Sequence, residues 1–154
     1  MPIRLQEYLA MATEKAAADL ETAVGRIPED KQNWRPSETS RTALDQAAEC
    51  ALLAGYTADM IVAKAWTMGS DFTAYEKEKS ELVLDAGAVL VLLRANAAKV
   101  AAAIRAAADD DMEVSIVMPW GPMTIAQTIV YPFWNMTYHE GQINYIASIL
   151  GCLN

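Results

Sequence analysis

Residues 124–151 read TIAQTIVYPFWNMTYHEGQINYIASILG and decide the fold. Ile125, Ile129, Phe133, Met136, Ile143, Ile146 and Leu150 recur at helical spacing. Thr124 suits the N-cap, where its hydroxyl accepts from a free backbone N–H. Gly151 suits the position just past the helix, where a left-handed backbone is cheap for glycine. The stretch also carries the chain's one histidine, His139. Asn135, His139 and Gln142 stand four and three apart and share one face. A histidine on such a line serves as a metal ligand, a proton shuttle or a hydrogen-bonded core residue. Pro132 lacks a backbone donor and is expected to kink the helix near this polar line. Gly141 suggests tight packing or access to a cavity.

Three further amphipathic helices are expected upstream. The first spans residues 3–25, with Leu5, Leu9, Ala12, Ala16, Leu20 and Val24 as its apolar stripe. The polar run after Pro28 ends it. In NWRPSETS, Ser37, Thr39 or Ser40 is the expected cap of the second helix, residues 39–66. Trp34 either closes one end of the bundle or shields a site from water. A polar connection over residues 67–79 has room for a short helical turn. A third helix follows over residues 80–108, with Ser80 as its cap. Residues 109–123 carry Val114, Ile116 and Val117 and then Pro119-Trp120-Gly121-Pro122, the pattern of a short extended piece or hairpin.

Four long helical segments in 154 residues make one all-α domain, residues 1–154, a four-helix bundle with the hairpin insert before its last helix. The unequal connections exclude four equivalent short turns. Hydrophobic residues form 53% of the chain, enough for an interior, and charged residues form 21%. A net charge of −8 disfavours nucleic-acid backbones and anionic membrane surfaces as partners. No uncharged run of about 18 apolar residues is present, and no signal-peptide pattern is expected. The two cysteines, Cys50 and Cys152, form no CxxC pair, so free thiols in a reducing cytoplasm are expected.

Glu49 is the only charge between Asp45 and Asp59, and it stands among alanines, leucines and Cys50. A carboxylate there is costly unless paired, hydrogen-bonded or metal-bound; the alternative is that it points to solvent. Gln46, Glu49 and Tyr56 share a line on the second helix. Bundles build metal sites from facing helices, so Glu49 together with Asn135 and His139 forms a candidate set for a divalent ion. Zinc or nickel comes first for such donors, with manganese or iron after them. Gln142 and Gln46 are placed to orient His139 or a substrate, and Tyr138 lies about 100° around the helix from His139.

The segments W34-R-P, ALDQAAECA, PWGPMT and YHEGQINYI followed by LG resemble the DinB-like (damage-inducible, YfiT-type) family across nearly the whole chain. The HxGQ segment at His139, Gly141 and Gln142 is the most specific part. The resemblance implies a four-helix bundle with an unusual crossover connection, a homodimer, and a role as a stress protein. It implies a divalent metal held by three histidines, one on helix two and two spaced four apart on helix four. It also implies thiol-dependent S-transferases or isomerases that use a low-molecular-weight thiol. This sequence keeps only His139 of that set. Asn135 stands four before it, and the helix-two position falls at or near Glu49. Two functions follow as expectations. One is a metal-dependent S-transferase acting on a small electrophile. The other is a metal-free bundle that binds a small ligand or acts through dimerisation, with Glu49 and His139 as a hydrogen-bonded pair.

Overall fold

A computed structural model describes residues 2–154. Helix α1 is Leu5–Arg26, α2 Ala43–Ala63, α3 Thr73–Leu82 and α4 Ala86–Ala106. A hairpin of β1 (Ser115–Met118) and β2 (Gly121–Thr124) follows, then a single turn α5 (Ile125–Thr128) and the last helix α6 (Tyr131–Ile149). The four long helices are α1, α2, α4 and α6. Around the bundle α1 packs on α4 and α6, and α2 packs on the same two. The sequence neighbours α1 and α2 therefore lie across the diagonal, the crossover that the family resemblance implies. Leu20, Leu44, Leu93, Met136 and Ile143, all buried, meet in the one core.

Local chemistry explains the element ends. Thr124 and Gln127 form a reciprocal capping box at 3.2 and 2.8 Å. Gly151 has φ 72°. Its N–H donates to Ser148 O, and Cys152 N–H donates to Ala147 O, the paired bonds of a Schellman ending. The hairpin pairs Ser115 with Thr124 and Met118 with Gly121. Ile116 and Met118 face inward, while Ser115 and Val117 face out.

Four expectations are corrected. The second helix is capped by Thr42, whose hydroxyl accepts from Asp45 N–H at 3.0 Å, and not by Ser37, Thr39 or Ser40. The expected third helix is two helices. Ser80 lies inside α3, its hydroxyl donating to Lys77 O, and Asp85 caps α4 by accepting from Ala88 N–H at 3.0 Å. Pro132 does not kink the last helix, because the chain turns earlier and the proline sits in the first turn of α6, where a missing N–H has no cost. Of the two readings of Gly141, tight packing fails, since a Cβ there would meet no atom within 4 Å, while access to a cavity holds, since it borders an open cleft.

Helix α4 is long and apolar enough to cross a membrane by length and composition alone. Its three cations are instead paired sideways within the bundle: Arg94 with Glu21, Lys99 with Asp59, and Arg105 with Glu7 and Glu14. Helices α2 and α4 approach closely at Gly55, where the Asn96 amide from α4 donates to Ala51 O at 2.8 Å.

Candidate functional site

The polar centre lies between α2 and α6. Asp45 and Glu49 stand four apart and Gln46 precedes Glu49 by three, so one side of α2 presents them together, and Arg41, just before the Thr42 cap, reaches back to them. His139 projects from α6 to meet them and is 4% exposed. Its Nε2 lies 3.0 Å from Glu49 Oε1. Its Nδ1 lies 2.8 Å from Gln46 Oε1 and 3.0 Å from Gln142 Oε1. The ring is thus held at both nitrogens by side-chain oxygens. Arg41 Nη1 donates to the other Glu49 oxygen at 2.7 Å, and Arg41 Nε donates to Asp45 at 2.6 Å. Lys79 completes the cluster, 3.4 Å from Asp45.

Burial raises the proton affinity of Glu49. The His139 hydrogen bond and the nearby Arg41 charge outweigh it, and the carboxyl is held below its ordinary value. It is a carboxylate at neutral pH. The neighbouring Cys50 thiol is pushed up, first by burial and then by the Glu49 charge, and is inert as a nucleophile. Both cysteines are free thiols.

Three cavities touch this cluster, one of them only at Arg41 and Asp45, and the other two reach Glu49 or the glutamines. On one side is an apolar pocket of about 300 Å³. Glu49, Leu53, Thr57 and Met60 of α2 supply one wall at steps of four, four and three. Trp66 and Phe72 come from the α2–α3 connection, Tyr75 from α3, Met118 and Trp120 from the hairpin, and Tyr131 from α6. Trp66 makes edge contacts with Trp120 at 5.4 Å and Phe72 at 6.0 Å between centroids, which ties the hairpin to the connection. Burial, then the Glu49 charge, raises both Tyr75 and Tyr131, so each phenol keeps its proton. On the other side is an open cleft of about 550 Å³, bordered by Arg41, Gln46, Tyr138, Gly141 and Gln142.

The structure thus brings Gln46, Glu49, His139 and Gln142 together. Tyr138 stands at the cleft edge, stacked on Trp134 and edge-on to the His139 ring at 5.2 Å. Asn135 does not join them: its amide turns to Cys50 Sγ at 3.6 Å. Trp34 is half-buried against the core and borders none of these cavities. Tyr56 leaves the line, its hydroxyl donating to Glu78 at 2.7 Å. Sequence reasoning did not single out Arg41, which lies before the Thr42 cap and outside the helical periodicity of α2. The pocket aromatics carried no periodic signal, because they come from four separate segments.

A catalytic divalent ion takes about three protein ligands and leaves one position open. Here Glu49 and His139 supply two. Among the described residues no three His, Cys, Asp or Glu side chains converge. The guanidinium of Arg41 already neutralises Glu49. The donor set does not fit a resident ion, and the fixed positive charge at the site is an arginine.

No curated protein sequence matches the chain. Among solved structures, YfiT from Bacillus subtilis is similar, with a TM-score of 0.81 at 15% identity over 97% of this chain and 91% of that one. That protein is described as a probable metal-dependent hydrolase with an unusual four-helix bundle topology. At this identity the likeness carries the fold alone. The family model of the DinB superfamily matches residues 12–143, most of the bundle and all of the site. The chain belongs to the DinB superfamily.

Proposed function

We propose that this protein binds a small, largely apolar molecule in the pocket that ends at Glu49, and does so without a metal ion. One observation carries the reading. The 300 Å³ pocket has a single charged wall residue, Glu49, and that residue is held ionised by Arg41 and His139 rather than left for an ion. Apolar and aromatic walls with a few fixed polar groups are the make-up of a ligand site. Gln46 and Gln142 hold the imidazole, the imidazole and Arg41 hold the carboxylate, and the carboxylate meets the ligand. The expected S-transferase chemistry drew its activated thiol from a metal, so it is not part of this reading. Pairing of two copies and a role in stress stay with it as expectations of the family resemblance, and a cytoplasmic setting as the expectation from the two unpaired cysteines.

The test uses the untagged full chain and 3-phenylpropan-1-ol as a neutral probe. Trp66 and Trp120 line the pocket, so occupancy is read as a saturable change in tryptophan fluorescence. Leu53→Trp, which fills the pocket from α2, is expected to weaken binding by about tenfold or more. Addition of EDTA is expected to change nothing. Absence of saturable binding, or binding abolished by EDTA, overturns the reading.

A further inference from the structure

We infer that the pocket selects organic cations: its ligand carries an ammonium group that sits against Glu49 inside the aromatic wall. This rests on the pocket reading above and names the ligand class.

Three observations converge on it. First, Glu49 keeps acceptor capacity toward the pocket. A carboxylate has about four lone-pair positions, and His139 and Arg41 take one on each oxygen. The side chain remains 18% exposed. Second, no cation lines the pocket. Arg41 reaches Glu49 from the cleft side, and Lys79 is held by Asp45 and Glu76. The Arg41 counter-charge lies on the cleft side, so an anionic ligand would face carboxylate oxygen with no cation inside the pocket, while an ammonium donates to the free lone pairs. Third, the walls offer the faces and edges of Trp66, Phe72, Tyr75, Trp120 and Tyr131. Aromatic faces attract cations through the ring quadrupole, and the effect grows when the cation is desolvated. Tyr75 already does this on one face, where Lys79 Nζ stands 5.5 Å from the ring centroid. A carboxylate at the end of an aromatic pocket is the arrangement that recognises ammonium groups.

The experiment compares three probes with one apolar body: 3-phenylpropylammonium, 3-phenylpropan-1-ol and 3-phenylpropanoate. Each is titrated into the untagged full chain at pH 7 and low salt, read by tryptophan fluorescence and by calorimetry. The ammonium is expected to bind about tenfold or more tighter than the alcohol, and the carboxylate weakest. Glu49→Gln is expected to weaken the ammonium more than the alcohol and so reduce the ammonium preference to less than about threefold. Trp66→Leu, away from the polar cluster, is expected to weaken the ammonium more than the alcohol. Equal binding of alcohol and ammonium, or a preference for the carboxylate, overturns the inference and leaves the pocket reading standing. Failure of all three probes to bind overturns both.

Discussion

Replacing Arg41 by Met removes the guanidinium and keeps most of the apolar stem. The bundle then loses the 2.7 Å contact to Glu49 and the 2.6 Å contact to Asp45. Two unit charges about 4 Å apart attract by about 4 kcal/mol at an effective dielectric constant of about 20. That gross figure is cut by desolvation and by solvent screening, because the Arg41 side chain is 37% exposed. Glu49 is the partner that suffers. Removing the cation from a fully buried carboxylate costs about 3–5 kcal/mol, but here His139 still serves one oxygen and Lys79 still serves Asp45. The expected loss is about 2 kcal/mol. For a chain of this size that lowers Tm by about 4–8 °C. The assay is urea unfolding at pH 7, followed by far-UV circular dichroism, on the wild type, Arg41→Met, Glu49→Gln and the double variant. In the Glu49→Gln background Arg41→Met has only the partly exposed Asp45 contact to lose, so its cost falls to about 0.5 kcal/mol. An equal cost in both backgrounds would refute the claim that Arg41 neutralises Glu49.

The pH dependence of the same site has a definite sign. Glu49 is held below its ordinary value of 4.5 by His139 and Arg41 against the opposing effect of burial. Its contribution to stability is therefore complete above that ordinary value and lost as pH falls through the lower folded value. The stability gap between wild type and Glu49→Gln should be present at about pH 5 and close as pH falls below about 4.5, read by urea titration at each pH. Taking the difference cancels Glu14, Glu21 and Asp109, which arginines also depress. A gap that persists unchanged through the acid range contradicts the assignment. At the helix crossing, a Cβ on Gly55 would stand 2.6 Å from Asn96 Nδ2. Gly55→Ala should cost about 1 kcal/mol in thermal unfolding, since overpacking and a lost hydrogen bond exceed the helix-propensity gain. In an Asn96→Ala background the same change should stabilise by about 0.5–1 kcal/mol, and an equal loss in both would remove close approach as its cause.

What could be read without coordinates was local or periodic. The capping box at Thr124, the ending at Gly151 and the hairpin depend on neighbours a few residues apart, and each follows from its own segment. The break between α3 and α4 was hidden, because Ser80 and Asp85 are both acceptable caps and only the chain's turn at residues 83–85 selects the second. Helical spacing placed Gln46, Glu49, His139 and Gln142 on facing lines, and they do face one another. The same spacing grouped Asn135 with them, but a step of four also moves about 6 Å along the axis, and that distance takes Asn135 to Cys50. The pocket was out of reach. Its aromatics come from a connection, a short helix, a hairpin tip and the start of α6, which no periodicity relates. Arg41 was missed because a cation beside a loop reads as solvent-facing until its contact with the half-buried Glu49 is seen.

The most direct test of the account is elemental analysis of the untagged protein after incubation with zinc, nickel and manganese and removal of free ion. It is run beside a Glu49→Ala, His139→Ala double variant. With Arg41 holding the charge of Glu49, the parent should retain no more metal than the double variant. Near-stoichiometric metal in the parent, absent from the variant, would contradict the account and make this site a metal centre.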